Sequence, residues 1–367
     1  MIAPIKKNEK VLRQLSNLAA EVTAEVKSAK NPSIDIPLRN LSNVNFNPKK
    51  LIIEMGKAKQ SREFYNISMA RKFMQTFLVA EKCKSVLDEG KTTSIRDLYY
   101  MAKRDIPGTS ENTFEEQVES DPIIEDLEVT ADALREELGL FASNKGALVG
   151  ELTLRDMGDT IDGRRMGSGG WSIPSIVEPN IIQFKKCDAK FILLVEKDAV
   201  WRRLNEDKFW KKHRCILLHG QGQPPRGVRR LLHRMVNELK LPLYVFVDND
   251  PWGYYIHSVI KQGSINLAYE SVRMAVPSAR FLGLSSFDKA EWKLDDRVII
   301  RLNDEDVKRA KQLLEYPWFQ KKEWQKEIRN MLKLGYKLEL EALSNRGISF
   351  VTEEYLPKKI RDKAFLD

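Results

Sequence analysis

Cysteine and histidine are scarce in this chain. Its 367 residues hold three cysteines, Cys83, Cys187 and Cys215, with no CxxC pair. That pattern argues against a disulfide framework and against a cysteine-built zinc site. The four histidines, at positions 213, 219, 233 and 257, form no HExxH pair, which excludes a zincin. No apolar run approaches ~18 residues, so no membrane span is expected. The opening MIAPIKKNEK lacks an apolar stretch of signal type, so no secretory leader is expected and the chain reads as a cytoplasmic, reducing-compartment protein. No GxxxxGK[ST] loop is present, so an ATP phosphate cradle of that kind is not expected.

What is present points to several domains. The length is about two to three times that of a usual domain. A hydrophobic content of 42% is enough for real cores. Lys+Arg 61 against Asp+Glu 52 gives a net charge of +9, which suits a polyanionic partner. The charge is uneven. Residues 111–138 carry eleven acidic residues and one basic one, Arg135; residues 201–240 carry eleven Lys/Arg against Glu206, Asp207 and Glu238. The basic stretch reads either as a groove for a polyanion or as a solvated helix face.

Leu12, Leu15, Leu18, Ala19, Val22 and Val26 recur at helical spacing ahead of a Pro/Asn-rich connector. A lone helix cannot bury its own stripe, so this one needs either the protein's body or a partner chain. A long helix is expected over Ser61 to Leu87, stopped at Gly90. Ser94 then reads as an N-cap with Asp97 at N3, opening a short helix to about Lys103. A further helix is expected near 114–138, and Gly146–Leu154 alternates like a hairpin. Helix, turn, helix followed by such a hairpin points to a winged-helix domain. Five glycines within 157–180 mark an irregular segment. From Phe191 the rhythm becomes α/β. The apolar runs 191–195, 215–218 and 243–247 alternate with helical patterns, as strands of a buried parallel sheet do. Two more helices are expected over Asp304 to Leu314 and Lys322 to Leu334.

Two constellations carry chemistry. Strand ends place Glu196, Asp248 and Asp250 at the carboxyl edge of one sheet, where α/β crevices lie. Three carboxylates in one small volume repel unless a cation joins them, and hard oxygen donors select Mg2+ over zinc. The plainer alternative is a set of strand-end acids capping helices. The second constellation is the helix after Ser94. Ile95, Leu98, Tyr99 and Ala102 share an apolar face, whereas Arg96, Tyr100, Lys103 and Arg104 share a cationic one. Forming a phenolate at neutral pH costs roughly 4 kcal/mol, which neighbouring cations lower. Tyr100 is therefore either a nucleophile toward a phosphodiester or an exposed tyrosine stacking on DNA.

The segments Ile95-Arg-Asp-Leu-Tyr-Tyr100, Gly163-Arg-Arg-Met-Gly-Ser-Gly-Gly-Trp-Ser-Ile-Pro174, Val195-Glu-Lys-Asp198 and Asp248-Asn-Asp-Pro-Trp-Gly253 occur in that order. Together they closely resemble the A subunits of archaeal DNA topoisomerase VI, type IIB enzymes related to the meiotic double-strand-break protein, from about residue 60 onward. The resemblance implies a multidomain α/β protein: an N-terminal extension for partner docking (1–60), a winged-helix domain with the catalytic tyrosine (61–156), a Gly-rich connector (157–190), a Toprim domain with a mostly parallel sheet (191–310) and a helical part completing it (311–367). It makes Tyr100 the nucleophile, Arg96 its supporting cation, and Glu196, Asp248 and Asp250 the Mg2+ ligands. Asn249 stands where the family often has a small residue and is expected to point away. Lys103, Arg104, Arg226, Arg229 and Arg230 are the expected DNA contacts, the last three on the DNA-facing edge of the Toprim domain. The implied partners are double-stranded DNA and a B subunit that binds ATP, with two A subunits in an A2B2 heterotetramer associated with the nucleoid. The B subunit is expected to dock on the Leu12–Val26 stripe. The implied reaction is a transient double-strand break through a 5′-phosphotyrosyl bond, duplex passage and resealing. The tyrosine of one protomer works with the metal site of the other. The competing readings are a break-maker that does not reseal, a Toprim nuclease using water, and a non-catalytic DNA-binding regulator.

Overall fold

The computed structural model describes residues 9–366. Contacts divide the chain into two compact units. One holds the described residues up to Asn43 together with Met55–Ser143; the other holds Val44–Glu54 and the chain from Asn144 onward.

In the first unit, α1 (Glu9–Lys27) forms over the expected stripe. Val11 and Leu15 are buried in a core with Val79, Cys83, Leu98, Phe114 and Leu127, while Leu18 and Val22 pack on Ile34, Ile36 and Phe73. The unit thus buries Val11 and Leu15 and half-buries Leu12, Leu18 and Val22, while Ala19 and Val26 at the far end of the stripe stay exposed. β1 (Ser33–Pro37) pairs antiparallel with β4 (Lys59–Glu63). Between them β2 (Val44–Asn47) and β3 (Ile52–Met55) make a hairpin that joins the second unit, where Phe46 meets Trp318 at 6.2 Å between ring centroids. α2 (Ile67–Asp88) begins later than Ser61, because β4 takes those residues; the Asn66 side chain caps it by accepting the Ser68 N–H.

β5 (Thr93–Ser94), α3 (Ile95–Ala102), α4 (Ser120–Thr130) and β6 (Leu140–Phe141) complete the unit, β5 pairing parallel with β6. α4 is shorter than the expected 114–138 helix. Asp126 on α4 pairs with Arg39 at 2.9 Å and Arg62 at 2.7 Å, so two guanidiniums compensate one enclosed carboxylate.

The expected wing hairpin does not form. β7 (Ala147–Gly150) and β8 (Leu152–Asp156) belong to different sheets. Gly150 is the pivot: at φ +128° a Cβ would collide with the Cys215 carbonyl. The glycine-rich segment is likewise more than a connector. It contributes β9 (Asp159–Asp162), β10 (Trp171–Ser172) and β11 (Ile182–Cys187); β11, β8 and β9 make a three-stranded antiparallel sheet.

The main sheet has the order β10-β7-β13-β12-β14-β15. Its parallel core is β12 (Phe191–Val195), β13 (Cys215–His219), β14 (Leu243–Phe246) and β15 (Arg280–Gly283). Every residue of β12 and β13 is buried, as expected for strands covered on both faces. The connecting helices are α5 (Asp198–Glu206), α6 (Phe209–Lys212), α7 (Arg226–Leu239), α8 (Pro251–Gln262), α9 (Ser271–Met274) and α10 (Asp288–Glu291). β16 (Ile300–Arg301) pairs with β17 (Tyr336–Lys337) around α11 (Asp304–Glu315) and α12 (Lys322–Leu334), and α13 (Leu356–Arg361) closes the chain. α11 and α12 fall where their apolar spacing places them. Leu15→Ala should cost about 2–4 kcal/mol in denaturant unfolding, since it leaves a cavity in the first unit's core; unchanged stability would mean that α1 is not packed there.

Candidate active site

Ser94 positions the tyrosine helix. Its Oγ accepts the Asp97 N–H at 3.0 Å and donates to Asp97 Oδ2 at 2.7 Å. The two adjacent tyrosines keep their rings in edge contact, 5.0 Å between centroids, but differ in burial, because residues one apart on a helix leave it about 100° apart. Tyr99 is 6% exposed; its hydroxyl donates to the Glu115 carbonyl at 3.0 Å and its ring meets Phe114 edge-on. Tyr100 is 60% exposed. Arg96 is also exposed and lies one turn before Tyr100. Lys103 and Arg104 do not continue that face, because α3 stops at Ala102. Lys103 Nζ donates to the Tyr99 hydroxyl at 3.2 Å and the Glu115 carbonyl at 3.3 Å, while Arg104 lies 3.7 Å from Glu81. The expected four-residue cationic face is thus reduced on the helix itself to Arg96 and Tyr100.

In the second unit the carboxyl edge of the sheet gathers the acids. Glu196 follows β12 and its Oε2 accepts the Asp248 N–H at 3.0 Å. Asp248 lies just beyond β14, and its Oδ1 accepts the Leu340 N–H at 2.8 Å. Asp250 caps α8, its Oδ1 accepting the Gly253 N–H at 2.6 Å. Gly253 is required there, since a Cβ would strike the Asp248 carbonyl. Asn249 points elsewhere, its Nδ2 meeting the Tyr254 hydroxyl and Glu327.

Burial pushes Glu196 up to about 7, with the Asp248 charge adding to it. Burial likewise raises Asp248 to about 6, and raises Asp250. These are hard oxygens whose charges are poorly solvated, so the donor set fits a hard divalent cation. It is not a ready-made shell: among the described residues no three His, Cys, Asp or Glu side chains stand grouped for coordination. Asp250 is turned to its helix cap, and Asp248 is engaged by Lys197.

Lys197 was absent from the expected site, as were its other partners. Its Nζ lies 3.1 Å from each of Asp248 Oδ2, Glu339 Oε2 and Glu341 Oε2. Burial alone would lower its pKa, but the Asp248 pair outweighs this and holds it above the ordinary lysine value. Lys197 sits inside the Val195–Asp198 motif and was legible there. Glu339 and Glu341 arrive because the segment after β17 pairs at Leu338 with Asn249, a contact with no local signal.

The expected arginine edge is overturned. Arg226 pairs with Glu270 at 2.9 Å and reaches the Tyr269 hydroxyl at 3.1 Å. Arg230 grips Glu178 through two bonds of 2.9 Å and the Arg273 carbonyl at 3.0 Å. Arg229 is 4% exposed, its Nε and Nη2 have no hydrogen-bond partner, and burial pushes it down to about 10. α7 is enclosed on most of its circumference, so Arg226 and Arg230 tie it to acids of the same unit instead of presenting a groove.

The parallel sheet with acids at its carboxyl edge, together with a separate helical unit whose short capped helix exposes Tyr100, defines a protein of the Toprim class. Three family models share out the chain: type IIB DNA topoisomerase over residues 71–140, the all-beta domain in the DNA topoisomerase VI alpha chain over 144–188, and the Toprim domain of the topoisomerase 6 A subunits and Spo11 over 191–360. The A subunit of type 2 DNA topoisomerase 6 from Pyrococcus abyssi is 45% identical, covering 98% of this chain and 96% of that protein; its counterpart from Hyperthermus butylicus is 41% identical over the same shares. The A3 subunit of DNA topoisomerase 6 from Oryza sativa subsp. indica is 36% identical over 97% of this chain and 78% of its own. The chain belongs to the family of topoisomerase 6 A subunits.

Two outcomes test this site. Without divalent ions, ionised Glu196 is a stability cost present above its raised value near 7 and absent below the ordinary 4.5. Glu196→Gln should therefore gain about 1–3 kcal/mol over the parent at about pH 8 in chelator and nothing at about pH 4; a difference independent of pH would refute the cause given. Arg229→Met should be neutral or stabilising by up to about 2 kcal/mol with duplex affinity unchanged; a loss of DNA binding would return Arg229 to the interface.

Proposed function

We propose that this chain is the DNA-cleaving subunit of an ATP-dependent type II topoisomerase and that Tyr100 is its nucleophile. Family membership over 98% of the chain supports the activity. One observation carries the nucleophile: of two adjacent tyrosines, Tyr99 is committed to the core and Tyr100 is solvent-exposed. We read α2, α3 and α4 as the helical part of a winged-helix domain, with α3 as the helix that meets DNA.

The chemistry is transesterification. Tyr100 Oη loses its proton and bonds to a backbone phosphorus, and the 3′-oxygen leaves and takes up a proton. The strand stays joined through a 5′-phosphotyrosyl ester, so the reverse attack reseals it without a further energy source. Arg96 stabilises the phenolate and the developing phosphate charge. Glu196, Asp248 and Asp250 would hold a hard divalent cation such as Mg2+, which when bound polarises a phosphate oxygen. One tyrosine cuts one strand, so a double-strand break takes two copies of the chain. We place these in an A2B2 heterotetramer whose B subunit supplies ATP hydrolysis for duplex passage, relaxing supercoils and decatenating DNA.

Tyr100→Phe should abolish denaturant-resistant protein–DNA adducts while leaving duplex binding intact. Tyr99→Phe should keep adduct formation and lose about 1 kcal/mol of stability. Adducts surviving Tyr100→Phe, or lost with Tyr99→Phe, would reverse the assignment; cleavage by Tyr100→Phe that leaves free 5′-phosphates would make water the nucleophile.

A further inference from the structure

We infer that Lys197 is the resident cation of the acidic crevice, competing with the divalent ion for Asp248 and retreating onto Glu339 and Glu341 when that ion binds. The inference rests on the reading that Glu196, Asp248 and Asp250 hold such an ion. It follows from the use of each Asp248 oxygen. Oδ1 is committed to the Leu340 N–H at 2.8 Å, a bond fixed by the backbone. Oδ2 is the oxygen left for a ligand role, and Lys197 Nζ sits on it at 3.1 Å. A divalent ion that takes Oδ2 meets a positive charge in its own coordination space, and like charges that close repel strongly where solvent is scarce. Asp248 is 5% exposed, so screening there is weak.

The retreat is built in. Lys197 Nζ already lies 3.1 Å from Glu339 Oε2 and 3.1 Å from Glu341 Oε2, and both glutamates are about half exposed. Releasing Asp248 leaves the ammonium two carboxylates, and a lysine stem has the rotatable bonds to follow them. Lys197 thus keeps the acids from standing uncompensated in the ion-free chain, at the expense of ion affinity. A backbone phosphate arriving beside the ion would draw on the same ammonium, which couples ion loading to DNA. Lys197 is in this sense a positioning residue: it sets when the carboxylates are available.

The test uses the full chain without DNA and Mn2+ as the probe, read by electron paramagnetic resonance, since carboxylates accept Mn2+ as they do Mg2+. Lys197→Met should bind Mn2+ about three- to tenfold tighter than the parent, the effect of deleting one partly screened competing charge. Lys197→Arg, which keeps the charge, should bind as the parent does. In the unmodified chain, Mg2+ should shift the Lys197 ε-carbon resonance, assigned by its loss in Lys197→Arg; this reading does not depend on Lys197→Met folding. Unchanged or weaker Mn2+ binding by Lys197→Met, or a stationary Lys197 resonance, overturns the inference provided that Asp248→Asn still loses the ion. Mn2+ binding indifferent to Asp248→Asn removes the acid-site reading, and this inference with it.

Discussion

A buried carboxylate must be compensated, and in the second unit that constraint falls on Asp248. One of its oxygens is held by the Leu340 backbone and the other by Lys197, which in turn draws in Glu339 and Glu341. The Asp248 N–H orients Glu196, and the turn at Gly253 that lets Asp250 cap α8 exists because no side chain intrudes on the Asp248 carbonyl. Segments around positions 196, 248 and 340 are therefore fixed to one another by a single acid and its backbone. Burial leaves these acids poorly solvated, which raises Glu196, Asp248 and Asp250 above the ordinary carboxylate range.

The first unit solves a different problem. α3 must expose one phenol while staying rigid, and it does so by burying the neighbouring one. Tyr99 fixes the helix through Glu115 and Phe114, and Lys103 anchors the Tyr99 hydroxyl. The same economy explains α1: its apolar stripe completes a small helical core that would otherwise lack a wall. A helix of eight residues is marginal by itself, so its orientation comes from this packing.

Net charge is a poor guide to where a polyanion sits. The excess of Lys and Arg is real, yet the densest arginine run lies inside the protein, where Glu178 and Glu270 neutralise Arg226, Arg230 and Arg273. Guanidiniums suit this use because their planar forks bond several acceptors at once and their stems add apolar contact. A helix can read as cationic in sequence and still be enclosed, when acids from distant elements come to meet it.

The elements with strong local signals were legible from the residues alone: the capped helix at Ser94, the stripe of α1, the apolar parallel strands with Glu196, Asp248 and Asp250 at their ends, and α11 and α12; choosing between the two readings of Tyr100 took the family resemblance. Each is set by spacing, capping or continuous hydrophobicity, which act over a few residues. What tertiary structure alone decided lies further apart in the chain. It sent β7 and β8 into separate sheets at Gly150, turned the glycine-rich segment into a β-sheet, enclosed the α7 arginines and delivered Glu339 and Glu341 to Lys197. Strand partners and ion-pair partners are chosen by the competition of distant segments for burial and charge compensation, and no local pattern records who wins it.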